Sequence, residues 1–267
     1  MQHALDTAIE LESLEAGRFV GATSPSYANM VGPFGGTTSA VLLKAALQHP
    51  DVLGAPISLT VNFASPLVDG SFEIVANPVR TNRSTQHWIL QLTQGGIVAA
   101  TATAVFAVRR ETWSAPEVLM PSDLPSALDL ICTPVEVSLP WVHCYDMRFV
   151  NGEMRFDGQE QSNSNSQLWV RDEPPRPLDF ASLAAICDCF FPRIFIRRRV
   201  LAPIGTVSLT TYFHADAAML TAQGDRHVLG CARAVNYRNG YYDQSAEVWG
   251  DGGQLLASTH QIVYFRD

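Results

Sequence analysis

The sequence predicts an α+β fold built as two repeats, each a helix wrapped by an antiparallel sheet, the two sheets running on into one. Three observations carry this. A helix signal over Thr37–Leu47 is followed by four consecutive strand signals, the order of an α+β chain and not the alternation that builds a parallel sheet. A second series of helix and then strands follows beyond residue 142. The second series also copies landmarks of the first. Ser58-Leu59-Thr60 and Phe63 return as Ser208-Leu209-Thr210 and Phe213, 150 residues later; Gly95-Gly96 and Ala100-Thr101 return as Gly252-Gly253 and Ser258-Thr259, the latter at an offset of 158. The domains expected are 1–110, a proline-rich linker over 111–141, and 142–267.

Taken in order, Leu5–Phe19 reads as a short helix or strand followed by a turn at Gly17. Gly35-Gly36 open the first helix, which Pro50 stops. The alternating, β-branched runs at 57–64, 71–80, 86–93 and 97–109 are hairpin strands separated by turns at Gly70 and Gly95-Gly96. Pro116, Pro121, Pro125, Pro134 and Pro140 interrupt any regular pattern across the linker. His143–Phe156 reads as a hairpin turning at Asn151-Gly152, and 167–171 as a strand. Asp179 is an N-cap for a helix FASLAAICDCFF over Phe180–Phe191, ended by Pro192. A basic loop, Arg193–Arg199, leads into strands at 206–214, 226–237, 244–249 and 255–265.

Composition limits the function. A chain of 267 residues with 47% hydrophobic and 16% charged residues builds an ample core. Its net charge of −8 argues against nucleic acid or an anionic membrane as partner, because phosphate is repelled at long range. No apolar run reaches spanning length, and the N-terminal stretch is acidic without a signal-peptide core, so the expected location is cytoplasmic. The five cysteines lack zinc-ligand spacing and read as small buried hydrophobes; no metal is expected.

The chemistry points to the second helix. It is apolar or small on every side except for Asp188, and a buried carboxylate costs several kcal/mol, roughly, unless specific partners hold it. Where the repeats diverge, partners emerge. The 150 offset sets Thr206 opposite Pro56, the 158 offset sets Gln261 opposite Thr103, and the first helix has no carboxylate. A carboxylate, a hydroxyl and an amide that converge can hold and polarise a water, with Asp188 as general base. The same three side chains would equally serve as a polar knot stapling helix to sheet. In the first repeat, the amides at Gly35 and Gly36 are candidates for an oxyanion hole, although two glycines before a helix are commonly just a turn.

The chain also resembles the acyl-CoA thioesterase II (thioesterase B-like) family of double hotdogs. The resemblance lies in LESLEAGRFVG, FGG and NFASPLVDG early in the chain, and in QLWVR, LAAICDCFF, TVSLTTYFH and GGQLLASTHQ later. It implies a double hotdog fold and hydrolysis of acyl-CoA to carboxylic acid and CoA without a cofactor. It also implies a catalytic aspartate, threonine and glutamine, which match Asp188, Thr206 and Gln261. CoA phosphates call for local cations, and the candidates are Arg197 and Arg198 in the densest cluster, then Arg80 and Arg83. Trp88, Trp249, Tyr241 and Tyr242 are candidates to line an acyl tunnel.

Two alternatives stay open. His214 lies an even number of residues from Thr206 and could share its face, which would suit an enoyl-CoA hydratase or dehydratase; His260 falls on the opposite face from Gln261. The other is a non-catalytic acyl-CoA-binding module. Sheet edges in such a fold also lead us to expect a homo-oligomer.

Overall fold

The computed structural model describes residues 2–132 and 139–266. Pro134, one of the linker prolines, lies outside the described residues. The chain begins with helix α1 (Ala4–Ala8) and strands β1 (Glu12–Glu15) and β2 (Arg18–Ala22), which turn at Gly17 with φ +78°. Helix α2 (Gly35–Leu47) precedes β3 (Ala55–Phe63), β4 (Ser71–Thr81), β5 (Thr85–Gln94) and β6 (Ile97–Ala107). The second series is β7 (Tyr145–Asn151), β8 (Ser166–Asp172), α3 (Phe180–Ile186), α4 (Arg193–Arg198), β9 (Ile204–Phe213) and α5 (Ala217–Gln223). It closes with β10 (Val228–Arg233), β11 (Tyr237–Arg238), β12 (Tyr241–Trp249) and β13 (Leu255–Phe265).

All these strands form one antiparallel sheet in the order β1-β2-β4-β5-β6-β3-β9-β13-β12-β10-β8-β7, with β11 on β12. The order reads the same from either edge once each strand is replaced by its copy. The halves join at β3 and β9, where Ser58 pairs Tyr212, Thr60 pairs Thr210 and Asn62 pairs Ser208. The local two-fold axis therefore passes between Thr60 and Thr210, whose hydroxyls lie 3.0 Å apart. Both joining strands carry a bulge at the same place in the repeat, at Ile57 against β6 and at Val207 against β13. Helices α2 and α3 pack on one another against the inner face of the sheet. Residues Ala181–Ile186 are all buried, as a helix apolar on every side requires.

The structure corrects four expectations. Helix α3 ends at Ile186, so Asp188 sits on the turn that follows it; Pro192 disfavours helical geometry before it and heads α4 instead. The stretch read as a basic loop is α4, and its Arg193 is 1% exposed. Asn151-Gly152 does not close a hairpin; β7 pairs β8 after the excursion 152–165. The residues that would have made the return strand are claimed elsewhere, Phe156 by Phe195 and Met154 by the central cavity. Finally, α5 was not expected, although Asp216 caps it with a 2.8 Å bond from the Met219 amide and Gly224 ends it.

Part of the 111–132 stretch is pinned down. Trp169 donates from Nε1 to the Pro125 carbonyl at 3.0 Å, and Arg148 donates to the carbonyls of Ala127 and Leu130. Ala127 packs there with Trp169, Leu229 and Trp249.

Candidate active site

A cavity of about 390 Å³ opens between the two halves. Gly35, Thr38 and Phe63 border it from the first, and Asp188, Thr206, Tyr242 and Gln261 from the second. The volume falls within the ordinary range for small-molecule sites.

Gln261 faces inward because β13 alternates: Ala257, Thr259, Gln261 and Val263 are buried, and His260 is exposed beside Asp243. Gln261 donates from Nε2 to Asp188 Oδ1 at 2.8 Å. The true counterpart of Gln261 is Ala104 and not Thr103. Gln261 pairs Leu209 and Ala104 pairs Leu59, which makes the offset 157 (261 less 104). A slip of one residue exchanges the faces of a strand, and Thr103 points outward while Ala104 is buried. The first repeat thus carries a methyl where the second carries the amide.

Asp188 is partly open to the cavity but crowded by protein. Burial pushes its carboxyl up to about 7, against the Gln261 bond and the facing Gly36 amide, which favour the charged form. The Gly36 amide belongs to the first turn of α2, so the positive end of that helix faces the carboxylate. The glycine pair is a matter of space. A Cβ on Gly35 would lie 2.7 Å from Asp188 Oδ2, and one on Gly36 would lie 2.5 Å from the Ala185 carbonyl. Neither has a positive φ. The Gly36 amide, a candidate oxyanion donor from the sequence, lies on the turn of α2 that faces Asp188.

Thr206 borders the cavity because of the bulge at Val207. Leu209, Thr211 and Phe213 point inward on β9; the extra residue resets the alternation and brings Thr206 to the inner face beside its partner Val263. Among the described residues Thr206 makes no hydrogen bond to Asp188 or Gln261. The same bulge overturns the parity argument for His214, which is exposed and hydrogen-bonded to Ser258 Oγ at 2.9 Å. His214 does not border the cavity.

The arginine candidates are placed as follows. Arg197 on α4 pairs with Glu160 at 2.8 Å, and Arg198 is its neighbour. Arg80 and Arg83 lie at the exposed end of the β4–β5 hairpin, Arg80 bonded to Asn82 at 3.0 Å. None of the four borders the cavity itself. Of the aromatic candidates Tyr242 does. Trp88 is core against His49 and Phe106, Trp249 packs with Trp169, and Tyr241 is exposed. Strands whose inward residues are core already use their large rings to fill it, which is why strand aromatics are poor predictors of a tunnel. Cys187, beside Asp188, is fully buried and its thiol is pushed up to about 12 by burial, so it offers no thiolate nucleophile.

Sequence reasoning missed Gln244. It is buried, sits directly across from Gln261 on β12 and borders the cavity. Its signal is a long amide inside an alternating strand, the same signal that marks Gln261.

Fold and site together define a double hotdog whose cavity is bordered by a carboxylate–amide pair at the helix junction. Residues 116–265 match the acyl-CoA thioesterase C-terminal domain and residues 24–107 the acyl-CoA thioesterase N-terminal domain. The chain belongs to the acyl-CoA thioesterase family. It is 47% identical, with TM-score 0.95, to a conserved protein of unknown function with a hotdog fold from Alicyclobacillus acidocaldarius, covering 100% of this chain and 99% of that one. The fold is shared with acyl-CoA thioesterase II TesB2 from Mycobacterium marinum, 19% identical with TM-score 0.73 over 98% of each chain. It is shared too with the tesB protein of Mycobacterium avium subspecies paratuberculosis, 17% identical with TM-score 0.79 over 98% of each. No functionally curated protein matches the chain. No described helix is long and apolar enough to cross a membrane.

Proposed function

We propose that this protein hydrolyses acyl-CoA thioesters to carboxylic acid and CoA. The observation that carries the reading is the 2.8 Å bond from Gln261 to Asp188 at the wall of a cavity that Thr206 also borders. In this reading Asp188, Gln261 and Thr206 orient a water. Asp188 takes a proton from it as its oxygen attacks the thioester carbon, and returns the proton to the CoA sulfur when the tetrahedral intermediate collapses. A base whose pKa lies near 7 is well matched to that task. The developing oxyanion is assigned to backbone at the first turn of α2, whose Gly35 borders the cavity. Arg197 and Arg198 are the better candidates for the CoA phosphates, because Phe195 of the same helix borders the cavity. Among the described residues β1 and β7 are the end strands of the sheet, and such edges support a homo-oligomer.

The hydratase reading loses its histidine, and a pure binding module has no use for a costly buried carboxylate. Release of free thiol from a panel of acyl-CoAs, with Asp188→Asn alongside, tests the proposal. Thiol release from at least one acyl-CoA, abolished in the variant, is expected. No release across all chain lengths would end this reading.

A further inference from the structure

Arg193 is a cation placed where few are found. It is 1% exposed at the start of α4, and no carboxylate pairs with it among the described residues. Among the described residues its guanidinium donates to neutral acceptors. Nε donates to the Phe191 carbonyl at 3.0 Å and to Gln244 Oε1 at 3.2 Å. Nη1 donates to the Ser164 carbonyl at 3.0 Å and Ser166 Oγ at 2.6 Å, and Nη2 makes a second bond to the Phe191 carbonyl. Gln244, held by its oxygen, donates from its nitrogen to the Phe190 carbonyl at 3.3 Å.

The two carbonyls so held are the second and third after Asp188. The turn that carries Asp188 is therefore fixed at both ends: by the carboxylate on Gln261, and by the backbone on Gln244 and Arg193. Gln244 and Gln261 face each other across β12 and β13, so one pair of strands sets both ends. Burying a guanidinium with no counter-ion costs several kcal/mol, roughly, and apolar side chains would join helix to sheet more cheaply. What they would not do is hold two successive carbonyls to one geometry, which the Arg193 fork on Phe191 and the Gln244 amide on Phe190 do together.

We propose that Arg193 and Gln244 act as one positioning unit for Asp188. They touch no reacting atom; they keep the Asp188 carboxylate against Gln261 and the α2 N-terminus. The groups facing Asp188 are Tyr242 from β12, Gln261 from β13, the Gly36 amide from α2 and the flanking Cys187 and Cys189 thiols. Tyr237 and Tyr242 face Arg193. This inference rests on the thioesterase reading for its kinetic arm only.

The test compares wild type with Arg193→Met, Arg193→Lys, Gln244→Leu and the double variant Arg193→Met/Gln244→Leu, each checked for a cooperative thermal transition. Gln244→Leu keeps the test decisive if loss of Arg193 prevents folding. Expected for Gln244→Leu is a fall in kcat of about 10- to 100-fold with KM changed less than about threefold, since a misplacement near 1 Å can cost a factor of about 100. Arg193→Lys keeps the charge but not the fork and is expected to fall likewise. The double variant is expected to be no worse than the worse single one. The second readout needs no substrate: a carbon-13 titration of the Asp188 carboxyl, assigned by Asp188→Asn. It is expected to move upward in pH in Gln244→Leu, because the contacts with Gln261 and Gly36 favour the ionised form. An unmoved titration with unchanged kcat per folded molecule would overturn the proposal and leave the network a structural staple. If wild type releases no thiol from any acyl-CoA, the thioesterase reading fails, and the titration alone still decides whether Arg193 and Gln244 position Asp188.

Discussion

Replacing Asp188 by asparagine should make the protein more stable while stopping the reaction, and the size of the gain follows from the site. Asn keeps an oxygen to accept from Gln261, removes the charge and puts an NH2 donor in place of the second carboxylate oxygen. Asp188 is raised from 3.8 to about 7 by burial, which corresponds to a penalty of about 4 kcal/mol on the ionised form. The sign follows from proton binding. Between pH 4 and pH 7 the folded protein holds the Asp188 proton and the unfolded chain does not, so wild type loses stability as pH rises through that window. Below pH 4 both states are protonated and the penalty is absent. Asp188→Asn is therefore expected to match wild type near pH 4 and to exceed it by up to about 4 kcal/mol at pH 8. For a chain of this size that is about 8–16 °C in thermal midpoint, an upper bound because cavity solvent screens part of the charge. Thermal unfolding of both proteins at a series of pH values measures it. A stability difference that stays constant from pH 4 to pH 8, or a variant less stable at pH 8, would refute the claim that the site holds a carboxylate against its desolvation.

Further outcomes follow from the same geometry. The rate with a saturating acyl-CoA should rise with unit slope through about pH 7 and level off above it, since the base must be ionised; a flat profile from pH 5 to pH 8 would exclude Asp188 as that base. Gln261→Leu removes a donor to the carboxylate, so the acidic limb should shift to higher pH and the plateau rate should fall, both read from one pH–rate series. Gly35→Ala forces a methyl to within 2.7 Å of Asp188 Oδ2 and should lower kcat. Gly36→Ala meets the Ala185 carbonyl and the Phe34 ring and should instead lower stability, by about 1–3 kcal/mol in chemical denaturation. His214→Ala, which removes only a side chain on the outer face, should leave thiol release unchanged.

The two-repeat plan was legible because duplication leaves its trace in spacing. The Thr60–Thr210 pair that marks the two-fold axis is separated by the 150 residues visible in the chain. The alternation of β13 by itself sets Gln261 and His260 on opposite faces, and Gln261 is buried. An acid on a helix with no polar face called for partners, and one of those named from the sequence, Gln261, holds it.

What alternation could not show was where it breaks. The bulge at Val207 decides that Thr206 reaches the cavity and His214 does not, and it is made by the register between β9 and β13, which no local pattern encodes. The 157 offset likewise depends on pairing, so Ala104 and not Thr103 stands where Gln261 does. Arg193 reads as one of a run of surface arginines; only the packing of α4 against β12 turns it into a buried fork. The Gly35-Gly36 pair reads as a turn until α3 is laid beside α2 and the carboxylate arrives where a side chain would have been. Composition, periodicity and repeat spacing thus determined the architecture and the charge that needed holding. The contacts that hold it come from residues up to 152 positions away along the chain (188 less 36), and their geometry exists only once the two halves close on each other.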